Sequence, residues 1–289
     1  MNFLKIYIFL LIVITTSSCS FQPKSNNTNK TLDCSEMIMD SPRCDDCTGY
    51  FGLYSVDFYG IGDNSNRASG GIYRIENNTI KDIDGGSWFV NDLEFWKKMN
   101  GYGHLGFGGN KPNFDEYWGK TVRISLGGNK KENIDSISTQ IYLPKKVSVD
   151  FKIGTEKVSK ENYYEPTKLK KGNNITINWS KDEKYKGQVL ITMRFNKPLN
   201  YTLKTTNEFS DISLGQTWTP KGTMKRIVRT TCKTDNGKFI MTSQWFEDID
   251  FKEVVWVYLS KRTSKKIKTD QNTFMIFSDY DVHKSFRID

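Results

Sequence analysis

The chain has 289 residues, of which 37% are hydrophobic, 13% aromatic and 26% charged, and its formal net charge is +9. That apolar content suffices for a buried core and excludes a disordered chain, while the length fits one large domain or two of medium size. A mean hydropathy of −0.58, with a single apolar run, excludes a protein of many membrane spans.

The apolar run opens the sequence. Met1 to Lys5 is short and carries one positive charge, Ile6 to Ile14 is nine apolar residues in a row, Thr15 to Ser18 is small and polar, and Cys19 follows. A charged start, a short apolar stretch and small residues before a cut define a secretory signal. The stretch is too short for a spanning helix, which needs about 20 residues. Small residues ending at a cysteine resemble the lipobox of bacterial lipoproteins. Thr16 stands where that motif usually has Leu or Val, a relaxed form similar to the lipoboxes of Bacteroidota. The resemblance implies a signal over 1–18, acylation of Cys19 (palmitate among the chains) and attachment to a membrane through that lipid. Ser20, where an Asp would retain the protein at the inner membrane, implies the outer membrane by enterobacterial analogy. An ordinary signal peptide cut near Ser18 is the alternative. Residues 19–32 are polar and patternless and read as a flexible tether.

Beyond Cys19 there are Cys34, Cys44, Cys47 and Cys232. An even number in an exported chain favours disulfides, and four cysteines allow three pairings. One bridge is expected within Cys34, Cys44 and Cys47, and one reaching Cys232. Cys44-Asp-Asp-Cys47 also has the form of a zinc knuckle or a redox pair. Zinc wants four ligands, yet the pair is not repeated and the histidines are His104 and His283 alone. A redox pair wants the start of a helix in a βαβ unit, and none precedes it. Neither metal nor cofactor is expected. The positive charges are scattered, with clusters at Lys145-Lys146, Lys168 to Lys171 and Lys265 to Lys268 beside turn residues. They read as solvated loops, so nucleic acid is not an expected partner.

After the tether the segments are short, rich in β-branched and aromatic residues, and often alternating. Strands are expected at 53–59, 71–75, 121–126, 140–143 and 147–153. One helix is expected from Asp92 to about Met99, with Asn91 as cap and Glu94 at the capping-box spacing. Further on, strands are expected at 175–179, 189–195, 227–232, 238–242, 254–259 and 273–277. Asp235-Asn236-Gly237 between two of these predicts a hairpin. The expected fold is all-β, in two β-rich domains over 33–150 and 151–289. From Ile175-Thr-Ile-Asn-Trp179 through Asp235-Asn-Gly-Lys-Phe239 to the strand ending near Leu259, the second half resembles the C-terminal immunoglobulin-like sandwich of Bacteroidota surface lipoproteins. That resemblance implies a buried Trp179 and no particular activity.

Gly101-Tyr-Gly103-His-Leu-Gly106 has the letters of a dinucleotide fingerprint, but it follows the expected helix instead of opening one, so that reading is dropped. Around it, residues 87–118 concentrate aromatic rings. Trp88, Trp96, Tyr102, His104, Tyr117 and Trp118 form a candidate ligand patch: rings flanked by carboxylates and amides stack on sugars. The competing reading, favoured on the residues alone, is that these rings are core. A glycosidase needs two carboxylates across a cleft, and among Asp92, Glu94, Asp115 and Glu116 no spacing selects a pair. No nucleophile–base arrangement appears, and His283 is expected at the surface or an edge. The functional expectation is a non-enzymatic surface binding or adhesion module with a glycan or an envelope protein as ligand. An accessory subunit of an envelope complex comes second, and a glycoside hydrolase third.

Overall fold

A computed structural model describes residues 47–59, 64–76, 79–95, 114–160 and 165–289. The signal, Cys19, the tether, Cys34, Cys44, Trp96, Tyr102 and His104 lie outside them. The strands are β1 (Gly49–Phe58), β2 (Asn64–Glu76), β3 (Thr79–Asp82), β4 (Trp88–Val90), β5 (Leu93–Phe95), β6 (Thr121–Leu126), β7 (Ile137–Tyr142), β8 (Val149–Ile153), β9 (Glu156–Lys157), β10 (Thr167–Leu169), β11 (Ile175–Trp179), β12 (Gln188–Lys197), β13 (Ser210–Thr219), β14 (Gly222–Thr234), β15 (Lys238–Met241), β16 (Val254–Lys268) and β17 (Thr273–Ile288). Helix among the described residues is confined to three short 3-10 turns, and no described helix is long and apolar enough to cross a membrane. The all-β expectation stands.

Nine strands make one large sheet in the order β13-β14-β12-β16-β17-β1-β2-β3, with β10 also paired to β17. Two four-stranded sheets, β5-β4-β6-β7 and β15-β11-β8-β9, complete the fold. Alternation decides which face of the large sheet meets them. Along β17, Phe274, Ile276, Tyr280, Val282 and Phe286 join one apolar cluster with Trp88 and Ile124 of the first small sheet and Phe151 and Ile177 of the second. Met275 and Phe277, on the opposite face of β17, belong to a separate cluster with Cys47. Trp179 is buried in the main cluster.

The boundary expected at residue 150 is not where the sheets divide. β1, β2 and β3 are strands of the same sheet as β12 to β17, and β1 runs parallel to β17 with Gly49 opposite Phe274 and Phe58 opposite His283. A single core then extends from Phe51 to Ile288. Gly52 permits the pairing, because a Cβ there would collide with the Phe277 ring.

Two local expectations are corrected. Leu93–Phe95 is a strand paired with Trp88–Val90, not the start of a helix. Asn91 occupies the left-handed region at φ 53°, as a two-residue hairpin turn requires, and its side chain accepts from Arg123 N at 3.0 Å. The Asn and Glu spacing that imitates a capping box therefore belongs to a turn. The Asp235-Asn236-Gly237 turn does not close a hairpin either: β14 pairs with β12 and β13, whereas β15 pairs with β11 in another sheet. The cause is Asp235, which the interior holds. Its carboxylate accepts from Trp179 Nε1 at 2.6 Å, Asp182 N at 3.2 Å and Lys261 Nζ at 2.6 Å. Trp179 N also donates to Gly237 O at 2.9 Å. The turn thus hands the chain from one sheet to the other.

Lys261 is fully buried, so its charge is tolerable only while Asp235 faces it. Asp235→Ala is expected to cost about 3–5 kcal/mol in urea unfolding. Pairing Asp235→Asn with Lys261→Met, which removes both charges, is expected to recover part of that loss.

Candidate functional site

The candidate ring patch divides on inspection. Trp88 is 1% exposed and stacks on Phe51 with ring centroids 5.0 Å apart. Trp118 is buried 6.0 Å from the Tyr280 ring, and Tyr117 is half-buried against the same core. β4 faces the large sheet, so its alternating side chain Trp88 enters the core and offers no ring to a sugar. Trp88 and Trp118 are therefore corrected from ligand platform to core, while Trp96, Tyr102 and His104 fall outside the described residues. The candidate acids are also separate. Asp92 pairs with Arg123 at 2.7 Å, Glu94 accepts from Ser87 Oγ at 2.5 Å, and Asp115 pairs with Lys146 at 2.6 Å. Asp115 and Glu116 lie in a 3-10 turn and not on a strand.

Charge is instead spent in two places that sequence reasoning missed. The first is the face of the large sheet turned away from the core. Cross-strand pairing sets Tyr258 opposite His283, Ser260 opposite Asp281 and Arg262 opposite Asp279. Arg262 Nε donates to Asp279 at 3.1 Å. The Arg194 guanidinium lies 4.5 Å from the centre of the Tyr258 ring. His283, expected at the surface, is buried between Trp256 and Tyr258, with ring centroids at 5.5 and 4.9 Å. Its strand is an inner one, which the polar run Asp281-Val-His-Lys conceals. Burial, and then the Arg194 charge, hold its pKa down to about 4. Burial, and then the neighbouring Asp279, push Asp281 well above the usual carboxylate range, against the Ser260 hydrogen bond and the Arg262 charge.

The second place lies at the end of the sheet where β12 stops and β16 begins. Arg229 is fully buried. It donates to Asp211 through Nε at 2.7 Å and Nη2 at 3.0 Å, to Asp248 through Nη1 at 3.0 Å, and to the Trp245 carbonyl at 2.6 Å. Its plane lies 4.1 Å from the centre of the Phe209 ring. The Tyr201 hydroxyl bonds both carboxylates, at 2.9 Å to Asp211 and 2.5 Å to Asp248. Burial opposes ionisation of Asp248, but the bonds from Arg229 and Tyr201 outweigh it and keep the pKa low. This cluster fastens the chain after β12, the start of β13 and the stretch before β16 to β14.

Directly beyond that cluster the surface turns apolar. Trp218 is 78% exposed and Phe251 63%, and Leu199, Leu203 and Val254 are also exposed. These are five of the six large apolar side chains exposed among the described residues, the other being Ile240. Topology brings them to one end. Trp218 ends β13 before the Pro220-Lys221 turn, and Lys221 pairs with Glu253 beside Phe251 and Val254. Lys225 Nζ donates to the Tyr201 carbonyl, between Leu199 and Leu203, at 2.9 Å. A tryptophan next to a Thr-Pro-Lys-Gly turn was the available sequence signal.

Cys47 is buried on the outer face and Cys232 is half-buried. Among the described residues, no group of three or more His, Cys, Asp or Glu side chains is placed to hold a metal ion.

No protein-family model matches the chain, and no curated protein matches it. Among solved structures, the yeast delta-COP-I mu-homology domain is similar at 9% identity and a TM-score of 0.26, over 86% of this chain and 100% of that one. A TM-score so low assigns neither fold family nor function.

The His283 environment gives a signed pH dependence. The imidazole has an ordinary pKa of 6.5 and one of about 4 in the fold, so between these values the unfolded chain takes the extra proton. The stability this position contributes is present above pH 6.5 and is lost as pH falls through 4, a loss on the order of 2–3 kcal/mol. The raised pKa of Asp281 acts in the opposite sense, giving stability that fades as pH rises. Comparison with a variant separates the two. His283→Gln is expected to lose less stability than the parent between pH 6.5 and 4 in urea titrations.

Proposed function

We propose that the protein is a binding module of the bacterial envelope, attached through a lipid on Cys19 and acting by contact through one end of its large sheet. The observation that carries this reading is the collection of Leu199, Leu203, Trp218, Phe251 and Val254 at that end. Monomeric surfaces seldom concentrate apolar side chains, and where they do a protein or membrane surface is the usual occupant. Attachment rests on the signal and the small residues before Cys19.

The geometry of entry agrees with this. Thr48 N bonds Thr273 O at 2.7 Å, where β17 begins, while Lys252, beside Phe251, bonds Ile288 O at 2.7 Å, where β17 ends. Sixteen residues of strand span roughly 50 Å. The first described residues therefore lie at the end opposite the exposed apolar one. Within this reading the C-terminal half is an immunoglobulin-like sandwich, with β8, β11 and β15 over β12, β16 and β17. One disulfide joins cysteines within the Cys34, Cys44 and Cys47 cluster and one reaches Cys232.

The second reading, an accessory subunit of an envelope complex, draws support from β13, a ten-residue strand at the sheet edge. Its edge is blunted, however, by the register shift between Ser213 and Gln216, and bulges of that kind discourage strand addition.

Two measurements test the proposal. Cys19→Ser is expected to abolish incorporation of labelled palmitate in cells. A photo-reactive amino acid at position 218 is expected to give envelope adducts that the same probe at Ile240 does not. Equal adducts at both positions would remove the end surface as the contact site.

A further inference from the structure

We infer that the apolar end of the large sheet inserts into the interface of an anionic lipid bilayer. The inference rests on the reading of that end as the contact surface and names what it contacts. Three features favour lipid over a folded partner.

The apolar side chains are carried on separate segments at that end: Leu199 and Leu203 after β12, Trp218 next to last in β13, Phe251 before β16 and Val254 at its first residue. Tips of this kind wedge between headgroups, where Trp and Phe are favoured and their bodies are buried a few ångströms deep. A protein partner would ask for one continuous flat face.

The charge around the tips is positive. Its carboxylates are largely neutralised in place: Asp248 pairs with Lys204 at 3.2 Å, Asp250 with Lys197 at 3.6 Å, and Glu253 with Lys221. Lys252 stands beside Phe251, its Nζ 5.4 Å from the ring centre. Lys170 and Lys171 arrive by way of Lys171 N, which donates to Asp289 O at 3.1 Å. These three exposed lysines have no carboxylate partner among the described residues; the carboxylates set against them are the exposed Glu247, the exposed Asp250 that Lys197 meets at 3.6 Å, and Asp289, which pairs with Arg287 at 3.2 Å. Each lysine near an anionic surface contributes attraction that falls off within a Debye length. Basic residues also occur at the opposite end, at Lys265, Lys266 and Lys268, but none of the exposed large apolar side chains is found there. Only one end combines both requirements.

Two of the three segments are also held firmly: Arg229 joins Tyr201 of the chain after β12 to Asp248 and the Trp245 carbonyl before β16, so insertion there orders few side chains that are not already fixed.

The test is hydrogen exchange on the full chain with vesicles of phosphatidylcholine alone and of phosphatidylcholine with phosphatidylglycerol. Anionic vesicles are expected to slow exchange in 198–204, 217–223 and 249–254, in a salt-sensitive way, with neutral vesicles having little effect. Trp218→Ser with Phe251→Ser is expected to weaken partition into anionic vesicles about tenfold. These positions are exposed, so the variant keeps its circular dichroism. Vesicle-bound protein whose three segments exchange at the free rate, or equal protection by neutral vesicles, overturns the inference. If position 218 cross-links to an envelope protein while these segments stay unprotected, the end surface stands as a contact site and lipid is ruled out as its occupant. If neither signal appears, both readings fall together.

Discussion

One guanidinium organises the apolar end of the large sheet. Arg229 is surrounded by Phe195 and Phe209 and faces two carboxylates and a main-chain carbonyl. A buried charge is tolerated only when its donors are used, and a planar fork matches carboxylates better than an ammonium would. Loops from three parts of the sequence meet at that one side chain. Without it, Asp211 would lose its buried cation, and the chain beyond β12, the start of β13 and the stretch before β16 would be aligned by ring packing alone, such as that of Phe209 on Trp245 with centroids 5.2 Å apart.

The second organising constraint is the exchange of chain between sheets. Asp235 sits on a turn whose letters suggest a simple reversal, yet its carboxylate is drawn inward by Trp179, the Asp182 amide and Lys261. Tyr142 and Lys145 N, in turn, bind the Asp182 carboxylate. The polar chain from Asp235 to Tyr142 crosses between the small sheets and the large one. It determines which strand pairs with which more firmly than local turn preference does. Polar groups at such junctions constrain pairing, because any other register leaves a buried charge alone.

Much of the strand pattern was legible. Thr121–Leu126 and Ile175–Trp179 coincide with expected strands, and every other expected strand overlaps an observed one. Alternation made them visible, since one face is core and the other is not. The second halves of β16 and β17 were hidden, because Ser260 to Lys268 and Ser278 to Ser285 are polar on the face turned from the core and carry Lys261 and Lys284 on the face turned toward it. β13 was hidden for a related reason: an edge strand has little to bury. In the ring-rich segment, Trp88 and Trp118 are core, as the reading favoured on the residues alone had it, although their composition suits a ligand equally well. The exposed end was illegible as a whole. Its members are scattered from Leu199 to Val254, and only the folded sheet gathers them.

The parallel pairing of β1 with β17 has a consequence for how the protein is made. The strand β1 lies between β17 and β2, so the middle of the large sheet cannot close until β17 has been synthesised. Nucleation must bridge more than two hundred residues of intervening chain, a topology of high contact order and slow folding. Until both strands are present the sheet stays open between β1 and β17. The same arrangement makes a copy truncated near its C-terminus unable to complete the sheet, which exposes its earliest strand to proteolysis.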